Sequence, residues 1–141
     1  MRHSPHVGSV AALALCCALV SCKDSTAPAP IDPVGSWSGT TSQGRALSFT
    51  IIAGGLASAS LDWRLNGATC SYDAQATLSS SSPTPVTTPS FTATYPLAGS
   101  FGADFTISGT FTSSTAAHGT LVIADVSCNG TLNATWSAAK S

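Results

Sequence analysis

From Ala57 onward the chain alternates with a period of two. Ala57, Ala59, Leu61, Trp63 and Leu65 take one phase and Ser58, Ser60, Asp62 and Arg64 the other, so one side of this run can be buried while the other stays in water. A helix cannot separate the two sets. The rhythm returns in Cys70, Tyr72, Ala74, Ala76 and Leu78 against Ser71, Asp73, Gln75 and Thr77. Asn66-Gly67 between the two runs is a strong hairpin dipeptide and predicts that they pair antiparallel. Upstream, Leu47, Phe49 and Ile51 form a strand that ends at Ala53-Gly54-Gly55, a glycine turn able to supply positive φ, so a second hairpin is expected there.

Downstream, Phe91, Ala93, Tyr95 and Leu97 alternate with Thr92 and Thr94. After a break at Ala98-Gly99-Ser100, Ala103, Phe105, Ile107, Gly109 and Phe111 alternate with Asp104, Thr106, Ser108 and Thr110. Residues 112–115 read as a polar turn, Gly119, Leu121 and Ile123 as a short strand, and Cys128, Gly130, Leu132, Ala134 and Trp136 as the last strand. With residues 35–41 as the first, the count is about eight. Residues 79–90 contain Pro83, Pro85 and Pro89, each of which removes a ladder donor, so this tract is expected to be an exposed loop. The predicted fold is all-β: about eight antiparallel strands in a small up-and-down β-barrel, with a two-sheet sandwich as the alternative.

Composition agrees. Ser and Thr supply 41 of 141 residues, Glu is absent, and charged residues make up 8% against roughly 25% in an average soluble domain. A formal charge of -1 offers no footprint for phosphate, so nucleic acid is not an expected partner. The single-face alternation, with Ser, Thr, Asp and Arg on the opposite phase, argues for an internal core and against a membrane pore.

The first residues have a different character. Arg2 gives a short positive stretch, and residues 7–20 are apolar or small, too few to span a bilayer, which needs ~20 apolar residues. The run ends in Leu19-Val20-Ser21-Cys22, which resembles the lipobox of bacterial lipoproteins. That resemblance implies a signal peptide over residues 1–21, cleavage before Cys22, alkylation of the Cys22 thiol by a diacylglyceryl group and acylation of the new amino terminus, palmitate among the acyl groups. Several chains at about 0.8 kcal/mol per buried CH₂ make a durable membrane anchor. Lys23 in place of Asp after the Cys favours the outer over the inner membrane in that family. Residues 22–33 then carry three prolines and no apolar period, the composition of a tether reaching about 30 Å at ~3.1 Å per residue, and residues 34–141 form a single β domain.

In the exported portion Cys70 and Cys128 remain. Both fall on the apolar phase of their strands, so both are expected to point inward and to pair as a disulfide in an oxidising compartment. His118 is the one mature histidine and lies on a polar phase, which gives neither a zinc site nor a triad. Asp62, Asp73, Asp104 and Asp125 show no catalytic spacing; Asp62 and Asp73, with Arg64, read as surface charge. No metal or cofactor is expected, and no enzymatic activity.

Trp37, Trp63 and Trp136 share the apolar registers of the first, third and last strands, where they serve as core or line a small-ligand pocket; in a barrel Trp37 and Trp136 sit on neighbouring strands. Gly35-Ser36-Trp37 resembles the Gly-x-Trp opening of lipocalins and avidin-like barrels. Taken whole, Gly-x-Trp-x-Gly at the start and Cys-x7-Trp-Ser-Ala at the end look more like the small exported β domains of bacterial lipoproteins. The expectation is a monomeric, lipid-anchored binding or structural module of the cell envelope, with an apolar-ligand carrier as the alternative.

Overall fold

A computed structural model describes residues 29–97 and 103–141. Eight strands follow in chain order: β1 Gly35–Thr41, β2 Ala46–Ile52, β3 Gly55–Asn66, β4 Ser71–Thr84, β5 Ser90–Pro96, β6 Ala103–Phe111, β7 Ala116–Asp125 and β8 Gly130–Lys140. They form one antiparallel sheet in the order β4-β3-β2-β1-β8-β7-β6-β5, rolled into a nearly closed barrel. The first and last strands are adjacent, with Trp37 opposite Lys140 and Thr41 opposite Trp136. The expected up-and-down barrel is therefore the observed architecture, and the sandwich is not. Ladders join seven neighbouring pairs of strands; β4 and β5, which would complete the circle, are not joined by one.

The alternating side chains fill the interior. In β3, Ala59, Leu61, Trp63 and Leu65 are buried, and in β6, Ala103, Phe105, Ile107 and Phe111. Outward positions on adjacent strands bond hydroxyl to hydroxyl, as in Thr92 with Ser108 and Thr94 with Thr106, both at 3.0 Å. At the end where the chain enters, Trp37 stacks on Phe49 with centroids 5.8 Å apart and tilts against Phe111 at 5.1 Å. Phe49 in turn meets Trp136 edge-on at 5.5 Å, and Phe91 lies between Phe111 and Trp136. Room for the Trp136 indole comes from Gly109, which faces inward on β6. A Cβ there would stand 2.5 Å from the Phe91 ring and 2.8 Å from Trp136.

Two expectations need correction. The antiparallel hairpin expected at Asn66-Gly67 is present: Asn66 pairs with Ser71, and residues 67–70 form a four-residue loop closed by the Gly67 N–H donating to the Cys70 carbonyl at 2.8 Å. Gly67 is glycine because of close approach, since a Cβ there would collide with the Cys128 carbonyl at 2.2 Å. Residues 79–90 are not all loop. Strand β4 runs through Pro83 to Thr84, which is possible because β4 is an edge strand and residues 80–83 bulge out opposite Ala57, so Pro83 costs no ladder bond. The Ala53-Gly54 turn, in contrast, is as expected: Ile52 pairs with Gly55, and Gly54 has φ of 119°. The break at Ala98-Gly99-Ser100 lies outside the described residues.

The second correction concerns the cysteines. They form the expected disulfide, with Cα atoms 5.2 Å apart. Cys128 is fully buried in the turn between β7 and β8, but Cys70 is exposed, in the loop before β4, and does not point inward. The longer β3–β4 loop displaces it from the inward phase. The two loops are further sewn together by the Ala68 and Thr69 N–H groups donating to the Asn129 and Cys128 carbonyls.

Candidate functional site

The expected signal peptide over residues 1–21, the lipidation candidate Cys22 and the expected tether up to residue 28 lie outside the described residues. Residues 29–33 are described, and the last of them are bound to the barrel. Ile31 packs against the core, the Asp32 N–H donates to Ser114 Oγ at 3.1 Å, and Lys140 Nζ donates to the Asp32 carbonyl at 2.8 Å while lying 5.6 Å above the Trp37 ring. The Trp37 indole N–H donates to the Pro33 carbonyl at 2.9 Å. Trp37 is thus core and clasp together.

The three tryptophans do not converge. Trp37 and Trp136 flank Phe49 from two sides and fill the barrel, and the Trp136 N–H is satisfied by the Thr120 carbonyl at 3.1 Å. Trp63 takes no part in this cluster. It forms the floor of a cleft of about 530 Å³ that opens along the seam between β4 and β5. One wall is the run from Ala74 to Ser79 on β4; the other is Tyr95, Pro96 and Leu97. The size lies in the range of ligand clefts, about 300–1,000 Å³. Among the described residues no charged side chain lines it. The Tyr95 hydroxyl meets Thr84 Oγ1 at 3.3 Å, a contact between strands β4 and β5.

Trp63 is 3% exposed, and its indole nitrogen has no hydrogen-bond partner among the described residues. Nearby, Tyr72 donates its hydroxyl to Asp125 Oδ2 at 2.5 Å. Burial, and then this bond, push the Tyr72 phenol up to about 12; the Trp63 N–H approaches closely enough to temper the rise, without hydrogen-bond geometry.

Asp125 anchors the disulfide end. Its carboxylate accepts from Ser127 Oγ at 2.6 Å, from Tyr72, and from the backbone N–H groups of Ser127 and Cys128 at 2.9 and 3.1 Å. The Ser127 hydroxyl first, and Tyr72 next, hold its pKa at about 2, below the ordinary 3.8. A carboxylate with a lowered folded-state pKa stabilises the fold above its unfolded value, and that contribution disappears as pH falls through the folded value. Thermal midpoints should therefore drop between about pH 4 and pH 2. Asp125→Asn should lower the midpoint at pH 7 and flatten that acid limb; an Asn variant with the wild-type acid limb would place the titration elsewhere.

The remaining polar candidates are dispersed. His118 is exposed on the outer face of β7, and Asp104 is exposed on β6. Asp73 is engaged by Arg45 and by Arg64, the latter at 3.2 Å. Asp62 stands on the outward phase of β3, opposite Gln75. Among the described residues no group of three His, Cys, Asp or Glu side chains is close enough to hold a metal ion, and no helix is long and apolar enough to cross a membrane. Comparison with family models, curated proteins and solved structures finds no match to this chain.

The seam cleft was not visible in the sequence. Its signal would have been the small side chains Ala74 and Ala76 at successive inward positions of β4. Both stay only half-buried and stand beside Trp63 in the lining of the cleft.

Proposed function

We propose that this protein is a lipid-anchored lipoprotein of the bacterial cell envelope, held in the outer membrane by acyl chains on Cys22, and that its β-barrel is a non-enzymatic binding module. The observation that carries the binding role is the cleft of about 530 Å³ along the seam, lined by Trp63 and by the open edge of β4. The lipobox-like Leu19-Val20-Ser21-Cys22 carries the anchor. Eight residues lie between Cys22 and the docked Ile31, a reach of about 28 Å as extended polyproline II, so the barrel would hang with its entry end toward the lipid and its disulfide end outward. Transport of an apolar ligand along the barrel axis is the less favoured reading, because the Trp37, Phe49, Phe91, Phe111 and Trp136 rings occupy the axis.

Intact mass of the membrane-extracted protein, with and without reductant, tests this. The expected result is a chain beginning at Cys22, heavier by its acyl groups, gaining two hydrogens on reduction and releasing no stoichiometric apolar molecule on denaturation. An unacylated chain would overturn the anchor; a released apolar molecule would reinstate the carrier.

A further inference from the structure

The binding reading leaves open what occupies the cleft, and the two edges of the seam bear on this. Strand β5 is seven residues long and ends in Pro96, with Pro89 just before it, so it is guarded in the manner of natural edge strands. Strand β4 is fourteen residues long, twice that length, and carries a bulge and Pro83 only at its entry-end portion. From Ala74 to Ser79 it has no charge, no proline and no bulge. Over this stretch β4 pairs with β3 on one side, and no backbone bond to another partner is present on the other side among the described residues. An unguarded, flat edge is an aggregation hazard that natural sequences remove unless it is used. The seam cleft opens along this same stretch, with β5 held back from it.

On the reading that this cleft is the binding site, we infer that its ligand is an extended, uncharged polypeptide segment that adds as a strand to the β4 edge over residues 74–79. The free backbone groups of β4 supply the ladder, as in other β-strand additions. Trp63 then supplies specificity: every second ligand side chain enters the barrel side of the cleft, and one with an oxygen, such as Ser, Thr or Asn, gives the indole N–H its acceptor. Charged side chains are excluded at those inward positions because no charge lines the cleft to meet them.

The test uses a capped synthetic peptide copying Ser90 to Tyr95, an uncharged, hydroxyl-rich strand sequence, and the same peptide N-methylated at alternate residues on the edge that would face β4. Amide exchange along β4 and Trp63 fluorescence, the latter assigned with Trp63→Phe, are read on the intact protein. The expected result is at least about tenfold slower exchange of alternate amides within 74–79 with the plain peptide and none with the N-methylated one. Gln75→Lys/Thr77→Lys, both exposed positions, should keep the wild-type circular dichroism and lose the protection. Equal Trp63 responses to both peptides, without β4 protection, would overturn strand addition while leaving the cleft as a binding site. No response of either kind at millimolar peptide would overturn strand addition, while the lipid anchor stands or falls by the mass experiment.

Discussion

Replacing Cys70 and Cys128 together, as Cys70→Ser/Cys128→Ala, is expected to destabilise the domain by about 4 kcal/mol, the chain-entropy value for a loop closed over a separation of 58 residues. The topology explains why the whole amount should be felt. Strands β1 to β4 make one half of the sheet and β5 to β8 the other, and among the ladders only β1–β8 joins them. Cys70 belongs to the first half and Cys128 to the second, so the bridge fastens the two across the end of the barrel. Each kcal/mol shifts the midpoint of a domain this size by about 4–8 °C, which puts the loss at tens of degrees. Thermal unfolding with and without reductant checks it. A shift of only a few degrees would mean that the halves are held by packing and by β1–β8 alone.

Trp136→Ala should cost about 3–5 kcal/mol, the usual range for emptying a large aromatic site. Trp136 is 3% exposed and borders both Phe49 and Phe91. Gly109→Ala should cost about 1–3 kcal/mol by overpacking, because its methyl would press on Phe91 and Trp136. The two effects should not add. With the indole gone, Phe91 can tilt away and the methyl occupies vacated space, so Gly109→Ala should be nearly neutral in the Trp136→Ala background. A double-mutant cycle by chemical denaturation measures this coupling. Additive losses would show that Gly109 is required for its backbone and not for the ring above it.

How far the chain announced this structure depends on which physical signal was in play. Period-two alternation reports which side of a strand is dry, and Leu61, Trp63, Phe105, Ile107 and Trp136 all lie on the side that it indicates. It also placed β1 and β6 at their observed limits, because polar turns and glycines bracket them. Loop length was less legible. Asn66-Gly67 has the spelling of a tight turn, yet Gly67 is selected by the approach of Cys128, a contact made by residues distant in sequence. The same displacement took Cys70 out of its inward phase. Pro83 was read as ending a strand because a central strand was assumed, and only the sheet order shows that β4 is an edge. The seam cleft is a property of curvature and of one missing ladder, and neither is written in any local pattern. Trp63 was singled out as a candidate, but with the wrong company: the sequence grouped it with Trp37 and Trp136, whereas the fold assigns those two to the interior and Trp63 to the seam.

The pairing of β1 with β8 carries a consequence for how the chain comes to be folded. Trp37 finds Lys140 across about a hundred intervening residues, so the contact joining the two halves must wait until nearly the whole sequence is present. Each four-strand leaf can curl on its own as a meander of neighbouring hairpins, but neither covers its oily side without the other. A chain made from its N-terminus therefore stays pliable until β8 has emerged. Tightening comes late and at once, when the eleven residues of β8 close the spine of the book.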